Sequence, residues 1–152
     1  MNLKVGGWAY LMFDERCRTE NSGFEIHTTN NTMELRAIYE ALIFVRDKLL
    51  VKNYPVGEIH IYTDSQYCAQ YLQYHKVKEC LTSDMFDTYS KIHNKLLLKA
   101  TMGLINTLPY RIFVHKVTGH SVDAYNQYVD RLAVKARRDC EAEYFKKDAE
   151  YY

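Results

Sequence analysis

The sequence predicts an α/β protein with a mixed β-sheet and helices on the faces of that sheet. Residues 7–13 and 23–28 read as strands, and the polar stretch between them, 14–22, is typical of a hairpin loop. Beyond this pair, helical and strand patterns alternate, which gives the order β-β-α-β-α-α-β-α. A hairpin followed by such alternation favours a mixed sheet whose parallel strands are joined by right-handed crossovers.

The first helix and the strand after it have the clearest patterns. Residues 28–32 (TTNNT) are of the types that begin helices, and the helix should end near 52–53, before Pro55. Apolar residues recur at helical spacing within it: Leu35, Ile38, Leu42, Val45 and Leu49. Residues 58–64 (EIHIYTD) alternate and are rich in β-branched and aromatic side chains, so they predict a strand.

The remaining segments are assigned by the same patterns. They are, in order, a helix over 65–75, a helix over 85–102, a strand over 111–117, a loop over 118–126 and a helix over 126–144. Residues 76–85 have no clear pattern, and 140–152 read as the end of the last helix or a tail. We find no linker or repeat, so we expect residues 1–152 to form a single domain.

The composition excludes several classes of protein. The chain has 152 residues, of which 47% are hydrophobic and 26% charged, a balance that excludes collagen and general disorder. We expect no membrane helix, because charges interrupt the longest apolar runs, and no signal peptide, because MNLKVGGWAY has no apolar h-region. The net charge of +1 does not by itself indicate nucleic-acid binding. The four cysteines have no metal-binding spacing, so we expect reduced thiols and a cytoplasmic protein.

Three carboxylates stand where predicted elements begin or end. Glu34 lies in the first turn of the first helix, and Asp64 ends a strand, where α/β sheets place ligands. Asp130 lies in the first turns of the last helix, behind a loop that contains His120. Oxygen-rich sites of this kind suit Mg²⁺ or Mn²⁺, and two such ions can promote phosphodiester cleavage.

Each of these residues also has an ordinary structural interpretation. Glu34 could be the capping-box partner of an Asn31 cap, and Asp64 could cap the helix that begins at Ser65. Asp130 could be a solvated helix charge or the partner of Arg131 or Lys135. The sequence motifs in which these residues lie decide between the structural and the functional interpretations.

Four strings carry a specific resemblance. GGWAY, TTNNTMELRAIYEAL, IHIYTDSQY and VTGHSVDAYNQYVDRLA occur in this order over residues 6–138. Each is similar to a motif of the type 1 ribonuclease H family, in the order that the family has them. The resemblance implies an RNase H-like mixed β-sheet with flanking helices.

The resemblance also implies a site and an activity. Glu34, Asp64 and Asp130 match the family's metal carboxylates, with Mg²⁺ as the expected ion and Mn²⁺ as the alternative. His120 matches a histidine that assists proton transfer or product release. Four residues match positions that touch the backbone and minor groove of the hybrid: Asn30, Asn31, Gln66 and Asn126. The implied function is metal-dependent cleavage of the RNA strand of RNA–DNA hybrids, which leaves 3′-hydroxyl and 5′-phosphate ends. The alternative is a catalytically impaired module that binds hybrid or duplex nucleic acid, as part of a larger assembly.

One family feature has no match. The family's first strand lies at the centre of the sheet and carries an aspartate in a D-G-S or D-G-T string, and only five residues precede Gly6. We therefore expect the first, central strand and one metal ligand to be missing from this chain. The natural protein could start upstream, or a second chain or copy could supply the strand. A closed sheet without catalysis, or a ligand supplied from elsewhere, would also fit.

Basic residues cluster in two helices. Lys91, Lys95 and Lys99 recur every four residues, and a second group lies beside Asp130: Arg131, Lys135, Arg137 and Arg138. These side chains could meet phosphates, and a solvated helix face is the ordinary alternative.

Overall fold

A computed structural model describes residues 4–73, 77–78, 94–117 and 124–150, with side chains of the last helix described up to Glu143. The chain divides into two compact units. The first unit comprises Met1–Ala37 and Val122–Tyr152, and the second comprises Ile38–Ser121. The predicted α/β class is confirmed, with strands and helices in the predicted order. A single domain over the whole chain stays a prediction.

The first unit is built on an antiparallel two-stranded ribbon. Strand β1 (Val5–Phe13) pairs with β2 (Arg18–Ile26), with Trp8 opposite Gly23 and Phe13 opposite Arg18. The Asp14 carboxylate closes the turn by accepting hydrogen bonds from the backbone N–H groups of Arg16 and Cys17, at 2.8 and 2.7 Å. The predicted loop over 14–22 is therefore wrong in length. Its second half belongs to β2, because pairing with β1 satisfies that backbone while the polar side chains stay exposed.

Helices cover both faces of this ribbon. Helix α1 (Asn30–Phe44) begins against one face, where a Cβ added to Gly6 would lie 2.6 Å from Cγ of Met33. The last helix, Ala124–Glu150, packs against the other face, where a Cβ on Gly7 would lie 2.8 Å from the carbonyl carbon of Ala133. Glycine at both positions lets helix and strand approach closely. The last helix has 27 residues, so the predicted loop residues 124–126 are helical and the C-terminal segment continues the helix.

The second unit contains a parallel strand pair. After α1 the chain makes a π-helical turn over Val45–Leu50, and Asn53 ends this segment with φ of 54°. Strand β3 (Glu58–Thr63), helix α2 (Gln66–Tyr71), helix α3 (Lys95–Thr107) and strand β4 (Arg111–Lys116) follow, so the last helix is α4. β3 and β4 pair in parallel, with Ile59 opposite Ile112. Both strands lie where the sequence predicts them.

The core of the second unit lies under α2 and α3. The side chains of Cys68, Leu72, Leu98 and Met102 are completely or almost completely buried. Gln73 joins α2 to β4, because its side-chain amide donates to the carbonyls of Ala69 and Val114 at 2.9 and 3.0 Å. Helix α2 is shorter than predicted, and α3 extends five residues past the predicted end at 102. The first part of that predicted helix, 85–93, lies outside the described residues.

Within the described residues the strands form two separate two-stranded sheets, β1–β2 and β3–β4. The absence of the family's first, central strand stays a prediction. None of the described helices has the length and apolar character needed to cross a bilayer.

Candidate active site

Asp64 lies directly after the C-terminal end of β3 and is half-buried. The next residue, Ser65, caps helix α2, because its Oγ accepts a hydrogen bond from the Cys68 backbone N–H at 3.1 Å. The interpretation of Asp64 as the cap is therefore wrong. Among the residues that the structure describes, the Asp64 carboxylate has no hydrogen-bond or ion-pair partner. Its position is not explained by any contact that stabilises the fold.

The peptide groups around Asp64 are held firmly. The Val117 N–H donates to the Thr63 carbonyl at 2.8 Å, which extends the pairing of β3 and β4 to the end of β3. The Thr63 hydroxyl accepts a hydrogen bond from the Ser65 N–H at 3.1 Å, and both of these side chains are buried. A half-buried carboxylate is thus held between two fixed residues at the end of a parallel strand, where α/β proteins bind ligands.

Glu34 is the fifth residue of α1 and is half-buried between two buried neighbours, Met33 and Leu35. The cap of this helix is Thr29, whose Oγ1 accepts from the Thr32 N–H at 3.2 Å. The interpretation of Glu34 as the partner of an Asn31 cap is therefore wrong, because Asn31 already lies inside the helix. Hydroxyl side chains supply the helix caps at both candidate carboxylates.

Asp130 is the seventh residue of α4 and is exposed. It lines a shallow surface groove with Arg131, Val134, Lys135, Arg138 and Asp139. The helix is fixed by its other face. There the Tyr128 hydroxyl donates to Glu20 at 2.7 Å, a bond that raises the pKa of Tyr128. The Arg18 guanidinium lies 5.2 Å from the centre of the Tyr128 ring. The contacts of α4 with the ribbon thus leave Asp130 on the solvent side.

The other predicted site residues lie near helix starts. Asn30 and Asn31 are the first two residues of α1, Gln66 is the first of α2 and Asn126 is the third of α4. The first three are exposed, and Asn126 is half-buried. His120 lies outside the described residues, so its role stays a prediction. The roles of the four amide side chains stay predictions.

The three carboxylates suit a hard divalent cation by their chemistry, since such ions take oxygen ligands. In the part of the chain that the structure describes, however, no group of three or more His, Cys, Asp or Glu side chains is arranged to hold a metal ion. Glu34 and Asp130 belong to the first unit, and Asp64 belongs to the second. The metal site therefore stays a prediction.

The structure also reveals a cluster that the sequence interpretation missed. His60 Nδ1 lies 2.9 Å from His115 Nε2, and His60 Nε2 lies 3.1 Å from Glu58 Oε2. The His60 ring also stacks on Phe113, and the His115 ring on Tyr62, with centroids 5.0 and 4.9 Å apart. We call this row of four rings the aromatic ladder. In the strings HIY and FVH, alternate residues are aromatic or histidine, which places these side chains on one face of each strand. The sequence does not show that β3 pairs with β4, and this pairing brings the four rings together.

Comparison with known proteins identifies the family. A sequence model of the RNase H family matches residues 1–138. Ribonuclease H of Chlorobium limicola is 33% identical over 132 residues, which cover 86% of this chain and 84% of that protein. Ribonuclease H of Prosthecochloris aestuarii is 35% identical over 138 residues, which cover 89% of this chain and 86% of that protein.

Two solved structures share the fold. The crystal structure of LC9-RNase H1, a type 1 RNase H with the type 2 active-site motif, superposes with a TM-score of 0.65 at 21% identity, covering 90% of this chain and 72% of that one. The crystal structure of native prototype foamy virus protease–reverse transcriptase superposes with a TM-score of 0.56 at 17% identity, covering 89% of this chain and 20% of that one. The architecture is thus that of an RNase H-like α/β protein. With the sequence matches, the chain belongs to the RNase H family.

Proposed function

We propose that this protein is a metal-dependent endoribonuclease that cuts the RNA strand of RNA–DNA hybrids and leaves 3′-hydroxyl and 5′-phosphate ends. Membership of the RNase H family supports a nuclease of the hydrolase class. The observation that carries the proposal is Asp64. It is a half-buried carboxylate without a partner among the described residues, at the end of a parallel strand, beside a serine that already caps the next helix.

In this proposal Glu34, Asp64 and Asp130 bind Mg²⁺, with Mn²⁺ as the alternative. A bound divalent cation would lower the pKa of the attacking water and stabilise the leaving oxygen. His120 carries the proton, which a neutral imidazole near pH 7 can accept. Asn30, Asn31, Gln66 and Asn126 contact the hybrid, since side-chain amides can both donate to and accept from 2′-hydroxyls and base edges.

We further propose that a strand from outside the described residues completes the site. It would come from a preceding segment, or from a second chain or copy, and would carry a further carboxylate. Two observations support this. β1 and β3 each pair with only one strand among the described residues, and their other sides can accept hydrogen bonds from an added strand. No group of three acidic or metal-binding side chains is gathered in the same residues.

A cytoplasmic location is part of the proposal. Cys17, Cys68 and Cys140 are free thiols, and free thiols persist in reducing compartments.

The second candidate function is a module that binds hybrid or duplex nucleic acid without cutting it. The lack of a gathered metal group in the described part of the chain favours this alternative. It differs from the first in one testable respect, because a binding module does not need Asp64 or a divalent ion.

Cleavage of an end-labelled RNA–DNA hybrid tests the proposal. We expect the chain to cut the RNA strand in Mg²⁺ or Mn²⁺, and we expect EDTA and Asp64→Asn each to abolish cutting. Asp64→Asn should change the free energy of unfolding by less than about 0.5 kcal/mol, because the carboxylate has no partner to lose among the described residues. Asp47→Asn is the matched control, since Asp47 is exposed, pairs with its neighbour Arg46 and lies outside the four strings.

Cutting that survives Asp64→Asn would refute the assigned role of Asp64. A folded chain that binds the hybrid and does not cut it would favour the binding module. The same assay on a chain preceded by a strand with a D-G-S string would then decide whether an added strand restores activity.

A further inference from the structure

The solvent side of α4 carries a row of basic residues, which we call the basic stripe: Arg131, Lys135 and Arg138. They are spaced four and three residues apart, so at about 100° per residue they fall within an arc of about 60°. All three are exposed and line the shallow groove beside Asp130. The stripe therefore forms one continuous surface that begins one residue after a candidate site carboxylate.

The stripe lies on the side of α4 opposite the ribbon. Ala133 packs over Gly7, and Cys140, seven residues further along the helix, is only 5% exposed. Both point about 160–200° away from Arg131 around the helix axis. Arg137, which the sequence groups with the stripe, is half-buried on a different side and pairs with Glu141 at 3.9 Å. The packing of α4 thus leaves Arg131, Lys135 and Arg138 facing solvent, whereas Arg137 pairs with a residue of the same helix.

The charges of the stripe are only partly balanced. Lys135 pairs with Asp139 at 2.9 Å, and this exposed pair is easily exchanged for another anion. Within the described part of the chain, Arg131 and Arg138 have no ion-pair partner. Like charges at these spacings disfavour a helix. The arrangement therefore lowers helix stability while it concentrates positive charge on one face.

We propose that the basic stripe binds the phosphate backbone of the nucleic acid next to the site of cleavage. Guanidinium groups bind phosphate oxygens through two parallel hydrogen bonds, which suits Arg131 and Arg138. From Arg131 to Arg138 the helix rises about 10 Å, which matches about three phosphates of one strand at 3.4 Å each along the duplex axis. The inference rests on the proposed function for its ligand. It adds a binding surface made of residues to which the family resemblance assigns no role.

The salt dependence of binding tests the stripe. The wild-type chain is titrated with a fluorescent RNA–DNA hybrid in EDTA, which prevents cutting, at several salt concentrations. The test variant is Arg131→Gln/Lys135→Gln/Arg138→Gln. The matched control is Lys48→Gln/Lys52→Gln/Arg111→Gln, which removes the same charge from three exposed residues of β4 and of the segment after α1. Circular dichroism checks that both triple variants are folded.

Each phosphate contact contributes about −0.9 to the slope of log K against log salt. We expect the stripe variant to lose about 2.7 from the magnitude of this slope. Between about 50 and 200 mM salt, wild-type affinity should therefore fall about 40-fold more than the affinity of the variant. The control should keep the wild-type slope. Arg131→Lys/Arg138→Lys should also keep it, because the charges remain.

Equal slopes for the stripe variant and the control would overturn the proposal, and so would a wild-type chain that does not bind the hybrid. The result is separable from the proposed function. Cutting with unchanged slopes would reject the stripe alone. A slope lost only in the stripe variant, without cutting by the wild type or by the chain with an added D-G-S strand, would support the stripe and reject the nuclease.

Discussion

At the scale of single residues, hydroxyl groups cap the helices on which the candidate site depends. Thr29 caps α1 and Ser65 caps α2, each through a hydrogen bond to a backbone N–H three residues later. An N-cap of this type contributes about 1 kcal/mol. Because the hydroxyls do this work, Asp64 is left without a structural partner among the described residues. A half-buried carboxylate without such a partner at the end of a parallel strand is a candidate for binding a ligand.

Tyr67 gives a prediction for alkaline pH. Burial, with smaller contributions from Cys68 and Tyr71, raises the pKa of this phenol to about 12. A phenol whose pKa is higher in the folded state stabilises the fold fully below about pH 10, its unfolded value, and loses that contribution as pH rises towards 12. We expect Tyr67→Phe to remove this loss.

The measurement is urea unfolding at several values between about pH 9 and 12. The slope of unfolding free energy against pH should be shallower in Tyr67→Phe than in wild type. The difference should stay below about 1.4 kcal/mol per pH unit, the limit for one proton, because solvent screens the partly exposed side chain. Tyr62→Phe is the control, since Tyr62 is 64% exposed. Identical slopes in wild type and Tyr67→Phe would contradict the assignment.

At the scale of elements, the ribbon is stabilised by the helices on its two faces. An isolated two-stranded ribbon is marginal in water, so α4 and the start of α1 provide its stability. Helix α4 approaches β1 closely at Gly7. A Cβ added to Gly7 would collide with the Ala133 carbonyl and lie 3.2 Å from the backbone nitrogen of Arg137. Backbone cannot move aside as the end of a flexible side chain can. The packing of α4, and with it the position of Asp130, depends on a glycine at this place.

Gly7→Ala should therefore lower the free energy of unfolding by about 2–3 kcal/mol, the upper part of the usual range for overpacking, because the added Cβ meets backbone atoms. Gly103→Ala is the matched control. Gly103 lies inside α3, and a Cβ added there would meet no atom of a neighbouring element, so alanine should raise stability by about 0.5–1 kcal/mol. Urea unfolding of both variants measures the two effects. If Gly7→Ala were as stable as wild type, the close packing of α4 on β1 would be wrong.

At the scale of the whole molecule, every strand of the described chain is an edge strand. β1–β2 and β3–β4 each contain two strands, so each strand has one side without a strand partner in the ranges described. Unpaired strand sides accept other strands readily. The proposed additional strand would pair with one of these open sides, which links the stability of the protein to the proposal that an added strand completes the site.

An N-terminal extension that forms a strand should consequently stabilise the protein. Four new ladder hydrogen bonds at about 1 kcal/mol each would raise the free energy of unfolding by about 4 kcal/mol. An extension of the same length with proline at alternate positions is the control, because proline cannot donate to a ladder. Chemical unfolding compares the two. Equal stability of both extended chains would show that no strand is accepted.

The sequence by itself determined the order of elements, the family and the candidate residues. Helical spacing in α1 and alternation in β3 and β4 are local patterns, and the structure confirms all three elements. The four strings are local too, and the family match extends over residues 1–138. The roles of Glu34, Asp64 and Asp130 stay predictions, since they concern ligands and residues that come together only in a complete site.

Only the tertiary structure decided which polar residues are strand, cap or surface. Arg18 and Ser22 lie in a strand because β1 pairs with them, although their side chains predict a loop. Ser65 rather than Asp64 caps α2 because its hydroxyl reaches the Cys68 N–H. Arg137 and Arg138 are adjacent in sequence, yet the ribbon covers part of one and leaves the other in solvent. In each case a contact with another part of the fold decides the outcome. The chemistry of the side chain alone does not specify that contact.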